Sequence, residues 1–287
     1  MLLLSLRLLA RLPLTVLHGI GAVAGVLSYA LQPGVRAKAR ANLMAANLYT
    51  RRLAWRSAAE AGKAVFETPY IWFRSQAHLR TLTDSSALDA ALREHRAVVE
   101  AGGTGGIFLT PHLGSFELSP RMFAPITVIT VLYKPPRRDD LHQLLKVARN
   151  GGGVTAVPTD AGGIRALLRA LRRGEAIGVL PDQVPMAGEG AWVPFFGRPA
   201  FTMTLPARLA ERSGARRIFV LATRRRRLAR GWTIEVRHLD GEATPARINA
   251  VIEQMIRVAP DQYYWDYNRY KIPPGVQPPA TVEAIAS

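Results

Sequence analysis

The stretch "GIFLTPHLGSFELSP", residues 106–120, runs a short apolar segment into Pro111, a His, a Gly and, five residues after the His, a Glu. Five apolar or β-branched residues stopped at once by a Pro and a Gly read as a buried strand that turns tightly into a helix. That strand-turn-helix step is the repeating unit of an α/β fold. It also places His112 and Glu117 at the carboxyl end of a strand, the side of an open α/β sheet on which ligands bind.

Outward from this stretch the texture repeats. After it come "TVITVLY", a helical pattern near Asp139 to Arg149, "VTAVP", a helix near Asp160 to Arg173, "AIGVLP", a helix near Thr204 to Ser213, "RIFVLAT", "WTIEVRHL" and a helix near Pro245 to Val258. Strands alternating with helices predict an α/β domain with a mixed, largely parallel central sheet flanked by helices. Before it, residues 50–80 have helical spacing of apolar residues, interrupted at Pro69. The expected organisation is an N-terminal membrane-anchor helix over 1–35 and a catalytic domain over 36–287. Within that domain 36–95 is mostly helical, 96–259 is α/β, and 260–287 is an aromatic and basic closing segment.

The first 31 residues are apolar apart from Arg7, Arg11 and His18. From Leu12 to Leu31 about 20 residues are available, enough to cross a hydrocarbon core. The segment could span, or lie in the interface with Arg7 and Arg11 at the headgroups. A signal peptide would show the same basic start and apolar run, but no small-x-small cleavage site closes it. The anchor reading also accounts for Arg36, Lys38 and Arg40, since a basic cluster beside an apolar segment marks the cytoplasmic side and attracts anionic lipid.

Lys and Arg number 38 against 21 Asp and Glu, a net charge of +17, and only five of the 38 are Lys. Guanidinium groups suit partners that present phosphate or carboxylate: nucleic acid, anionic membrane or an acidic substrate. The Arg are spread along the chain without a recognised nucleic-acid-binding motif, so nucleic acid is not expected as a partner. No Cys is present, which removes thiolate nucleophiles, disulfides and thiolate metal sites. There is no HExxH, P-loop or GxGxxG-plus-acid arrangement and no Ser in a nucleophile elbow, so neither a metal nor a cofactor is expected.

The pattern His, four residues, Glu occurs twice among six His, at His112 and Glu117 and again at His95 and Glu100. Residues 87–95 read as a helix ending near His95, which makes His95 a partly cationic C-terminal helix residue. At His112 the tight turn can return Glu117 beneath the imidazole. There it would accept the Nδ1 proton, fix the tautomer and leave Nε2 as a base. A His-Glu pair without a protein nucleophile suits a base that activates a hydroxyl directly, in a transferase to an alcohol or a hydrolase using water.

Other candidates sit at strand ends and near the carboxyl terminus. Asp182 and Gln183 close "LPDQ" on the same side of the sheet and either shape the substrate site or form a turn. In "VPFFGRPAFT", Phe195, Phe196 and Phe201 either make core or, on a loop past a strand end, line a channel for an apolar chain, with Arg198 near a phosphate. "YYWDYNRYK", residues 263–271, has the composition of a headgroup belt. "RRRR" at Arg224 to Arg227 reads as a solvated hairpin turn.

Seven segments in order resemble the bacterial lipid A late acyltransferases, a branch of the glycerolipid acyltransferase superfamily: "LPLTVLHGIGAVAGVL", "RAKARANL", "GGTGGIFLTPHLGSFEL", "VLYKPPRRDDL", "RALLRALRRGEAIGVLPDQ", "VPFFGRPAFTMT" and "APDQYYWDYNRYK". The resemblance implies transfer of a fatty acyl chain from an acyl carrier protein thioester to a hydroxyl of a Kdo-bearing lipid A precursor, at the cytoplasmic face of the bacterial inner membrane. It implies that His112 deprotonates the hydroxyl with Glu117 orienting it. Lys134 and Arg149 become family-like donors to the oxyanion, although the family commonly carries Arg where Lys134 stands. A glycerophospholipid acceptor on the same fold is the alternative within enzymes, and an inactive membrane scaffold or a basic nucleic-acid binder the alternative outside them.

Overall fold

Two neighbouring runs, "IFL" and "AIGV", are buried at every residue, as strands covered on both faces of a parallel sheet must be. The computed structural model, which describes residues 2–123, 126–136, 138–225 and 231–280, builds the molecule around them. The chain opens with four helices, α1 (Leu2–Leu9), α2 (Leu14–Leu31), α3 (Pro33–Ala45) and α4 (Arg51–Phe73). The short α5 (Gln76–Thr81), β1 (Thr83–Asp84) and α6 (Ser86–Glu100) lead into β2 (Ile107–Leu109), the one-turn α7 (Leu118–Arg121) and β3 (Ile129–Tyr133). Then follow α8 (Asp139–Arg149), β4 (Val154–Pro158), α9 (Ala161–Arg172) and β5 (Ala176–Val179). The hairpin β6 (Gly190–Phe195) and β7 (Arg198–Met203), α10 (Leu205–Ser213), β8 (Arg217–Arg224), β9 (Trp232–Leu239) and α11 (Pro245–Val258) complete the order.

Seven strands form one sheet in the order β1-β9-β8-β2-β5-β3-β4, with β6 and β7 apart as a two-stranded sheet. Every pairing in the large sheet is parallel except β8 with β9, so the mixed, largely parallel sheet expected from the sequence is the fold. Helix starts follow ordinary capping chemistry. The side chains of Thr50, Asp160 and Thr244 accept from the backbone N–H groups of Leu53, Gly163 and Arg247 and start α4, α9 and α11.

Several local expectations need correction. The apolar start is two helices, broken where Pro13 begins α2. Helix α4 runs through Pro69, which is buried inside it, to Phe73. Helix α6 continues past His95 to Glu100, leaving His95 5% exposed. Burial lowers its pKa, with the Gly174 backbone opposing, so His95 is a neutral core residue and not a cationic cap. Arg224 is not solvated: it is 5% exposed and ion-pairs with Glu60 and Glu67. Arg226 and Arg227 lie outside the described residues. The segment "VPFFGRPAFT" is the β6–β7 hairpin and not a loop.

Helix α2 is the one helix among the described residues long and apolar enough to cross a membrane. Its inner face carries Leu14, Leu17, Gly21 and Tyr29. Gly21 and Gly25 meet Ala58 and Gly62 of α4 so closely that a Cβ at Gly62 would collide with the Gly21 carbonyl oxygen, the small-residue contact that lets two helix backbones touch. Its outer face, continued along α1, exposes Leu4, Leu8, Leu12, Val16, Ile20, Val23, Leu27 and Leu31 at steps of three and four residues. Arg36, expected at lipid headgroups, donates to the Ala30 carbonyl at 2.8 Å and so closes the end of α2.

Where α2, α4 and the sheet meet lies Glu67, 1% exposed. Burial favours its neutral form, but Arg224, His18 and Ser115 outweigh that and hold its pKa down to about 2, from 4.5. A folded-state pKa below the unfolded value gives stability that is complete above about pH 4.5 and is lost as the pH falls toward 2. Denaturant unfolding in detergent should show wild type losing about 3 kcal/mol more than Glu67→Gln across that window. Gly62→Val should cost at least about 1–3 kcal/mol in the same assay by forcing α2 off α4. Gly34→Ala, where an added Cβ meets nothing within 4 Å, should leave the midpoint unchanged or raised.

Candidate active site

Strands β2 and β5 are parallel neighbours registered Leu109 to Val179. Each chain continues three residues past that pair, to His112 on one side and Asp182 on the other. The Thr110 N–H still donates to the Val179 carbonyl at 3.1 Å, so the two extensions leave the sheet side by side. The Asp182 carboxylate takes both donors of the histidine: the backbone N–H at 2.9 Å and Nδ1 at 2.8 Å. Gln183 brings its Nε2 within 3.1 Å of His112 Nε2.

Asp182 is 2% exposed. Burial pushes its carboxyl up, yet His112, through charge and two hydrogen bonds, and Arg269 hold it below the ordinary value. An ionised Asp182 requires the proton on Nδ1, which leaves the Nε2 lone pair to accept from the Gln183 amide. The Tyr263 hydroxyl hydrogen-bonds Asp182 from behind, and burial, then Asp182 itself, keep that phenol well above its usual pKa. Arg269, 2% exposed, is fixed on the Phe201 carbonyl at 2.9 Å and Thr202 Oγ1 at 2.6 Å.

The turn after His112 is pressed against β8. Gly114 has φ +64, and a Cβ there would collide with the Ala222 carbonyl oxygen, so only Gly fits. Ser115 N–H donates to that same carbonyl at 2.7 Å, and Gly114 N–H to the Gln262 carbonyl at 2.9 Å. This turn carries Glu117 away from the imidazole. Glu117 accepts from Trp72 Nε1 at 2.9 Å and ion-pairs with Arg149 at the end of α8. The Arg149 guanidinium lies 5.8 Å from the Trp72 ring centroid. The expected His112–Glu117 pairing is therefore corrected: strand register puts Asp182 on Nδ1, and the turn through Gly114 aims Glu117 at α4 and α8.

His112, Asp182 and Gln183 thus form one group, and Glu117, Arg149 and Trp72 a second. Arg149, expected as an oxyanion donor, is engaged by Glu117, while Lys134 stands exposed just past the end of β3. Phe195, Phe196 and Phe201 are 2, 8 and 4% exposed. Phe195 and Phe196 pack with Trp265 and Tyr270 in the core, and the Phe201 ring centroid lies 5.4 Å from that of Trp192, so the three rings fill space in the fold. Arg198 lies 4.8 Å from the Tyr270 ring centroid. With Phe196 and residues of α3 it borders a shallow open recess.

The closing segment read as a headgroup belt is buried instead at Tyr263, Trp265 and Arg269, with Tyr264 exposed. Sequence reasoning missed Tyr263 and Arg269 as supports of Asp182, and Trp72 as a partner of Glu117. Their only signal was aromatic and basic residues in segments otherwise read as helix or membrane belt. Among the described residues no cluster of three or more His, Asp or Glu could hold a metal ion.

Residues 1–272 match the family model of bacterial lipid A biosynthesis acyltransferases. The lipid A biosynthesis lauroyltransferase of Escherichia coli (strain K12) is 25% identical over 94% of this chain and 90% of its own length. The palmitoleoyltransferase of the same organism is 27% identical over 74% and 69%. A lipid A biosynthesis acyltransferase of Haemophilus influenzae is 25% identical over 76% and 70%. With a match that spans nearly its whole length, the chain belongs to the bacterial lipid A biosynthesis acyltransferase family and is an acyltransferase.

Proposed function

We propose that the protein moves a fatty acyl chain from an acyl carrier protein thioester to a hydroxyl of a Kdo-bearing lipid A precursor, at the cytoplasmic face of the inner membrane. One observation carries the chemistry: His112 is held through Nδ1 by an ionised, buried carboxylate, so Nε2 is a base at the carboxyl end of the sheet. The supporting names are those of the relatives, a lauroyltransferase and a palmitoleoyltransferase of lipid A biosynthesis.

In this reading His112 Nε2 takes the proton of the acceptor hydroxyl as the oxygen attacks the thioester carbonyl. The acceptor hydroxyl replaces the Gln183 amide at Nε2, and Asp182 stabilises the imidazolium that forms. The tetrahedral oxyanion collapses with loss of the C–S bond, and the thiolate leaves with the proton returned by His112. Lys134 and the freed Gln183 amide are the proposed donors to the oxyanion. Arg149, paired with Glu117 through one of its terminal nitrogens, is proposed to face substrate carbonyl or phosphate groups. The apolar line along α1 and α2 would rest in the bilayer, with exposed Arg7, Arg11, Lys38 and Arg40 meeting anionic headgroups.

The test is acyl transfer by detergent-purified protein, offered acyl carrier protein thioesters of several lengths with a Kdo-bearing lipid A precursor and, in parallel, lysophosphatidic acid. Product is expected on the precursor and should vanish in His112→Ala; product only on lysophosphatidic acid would reassign the acceptor. Asp182→Asn should lower kcat about 10²–10⁴-fold through the lost tautomer. It should do so by more than Glu117→Gln; the opposite ranking would return the orienting role to Glu117.

A further inference from the structure

Glu67 is a fully buried, ionised carboxylate that the proposed chemistry does not use, and its two oxygens face different parts of the fold. Oε1 receives Ser115 Oγ at 2.5 Å and Arg224 Nε at 3.1 Å. Oε2 meets His18 Nε2 of α2 at 2.8 Å and Trp232 Nε1 of β9 at 3.3 Å. Arg224 in turn donates to the Gly114 carbonyl at 3.0 Å and to Glu60 at 3.1 Å. Its backbone N–H donates to Gln262 Oε1 at 2.9 Å. The bonds to Oε1 therefore come from Ser115 and from the Arg that also grips residue 114.

A buried ion pair is a poor device for stability alone, because apolar side chains of similar volume do as well or better. Directional, charge-assisted bonds instead fix geometry. Residues 114 and 115 lie two and three positions beyond His112, outside any helix or strand, in a turn whose backbone is held by the single Leu113–Tyr263 bridge and by the Ser115 N–H on the Ala222 carbonyl. From these contacts we infer that Glu67 is a positioning residue of the acyl transfer, acting through Ser115 and Arg224 to hold the 112–117 turn so that His112 meets Asp182. By sharing the same carboxylate, His18 ties the seating of α2 on α4 to the order of that turn. This rests on the proposed role of His112 as the base.

Two variants test it without leaving an unpaired buried charge. Ser115→Ala removes one hydroxyl and keeps the Glu67–Arg224 pair; the double variant Glu67→Gln, Arg224→Gln removes both charges. Both are expected to lower kcat about 10- to 100-fold, with KM within about twofold of wild type. Glu94→Gln, on the exposed pair with Arg216, should leave kcat unchanged. Hydrogen exchange should quicken at residues 112–117 in both test variants while 107–109 keep their protection, a pattern that general loosening would not give. Folded variants with wild-type kcat, or with unaltered exchange over 112–117, would overturn the inference. Faster exchange at 112–117 together with full activity of His112→Ala would leave the turn anchored by Glu67 but remove His112 as the base.

Discussion

The parallel register of β2 against β5 sets the position of everything else at the carboxyl edge of the sheet. With Leu109 opposite Val179, His112 and Asp182 emerge at the same height, and one carboxylate can hold both the backbone and the ring of the histidine. A slip of one residue would turn Asp182 to the opposite face of the sheet. Because that carboxylate is buried, it needs company, and the chain supplies it from its far end. Tyr263 and Arg269 stand behind Asp182. Asn42 of α3 grips the Trp265 and Tyr267 carbonyls, each at 2.7 Å, and the Tyr267 hydroxyl accepts from Val184 N–H at 2.9 Å. Residues 263–269 are thus as much a part of the site as the strand that bears the histidine.

The helical layer obeys a second constraint. Helix α2 turns small residues and one His toward α4 while keeping large aliphatic groups outside. The His18 side chain of α2 meets Glu67 of α4 in this contact zone, where helix, turn and sheet come together. Such a junction tolerates little substitution, since removing one partner strands the others without solvent.

Much of this was legible in the residues. The short β-rich runs and the helices between them, including Asp139–Arg149 and Pro245–Val258, follow local patterning, and local patterning survives into the fold. The strand-to-helix turn at His112 was legible for the same reason. Its partner was not: the His112–Asp182 contact spans 70 residues, and only the order of strands in the sheet brings the two together. The β6–β7 hairpin escaped because its aromatic density mimics a loop lining a cavity. Arg224 and the closing Tyr-rich segment escaped because charge and amphipathic rings normally mean solvent or interface. Burial with long-range partners reverses that rule, and sequence neighbours say nothing about such partners.

Direct backbone contact between α2 and α4 has a mechanical consequence. A helix packed through Gly21, Gly25 and Gly62 has no slack to swivel, so the apolar line along its outer side is fixed relative to His112. If that line beds into the bilayer as proposed, the base works at one set elevation above the lipid plane. Acceptors would then be sorted by how far their hydroxyl stands from the membrane, a yardstick anchored in the lipid and not in the walls of a pocket.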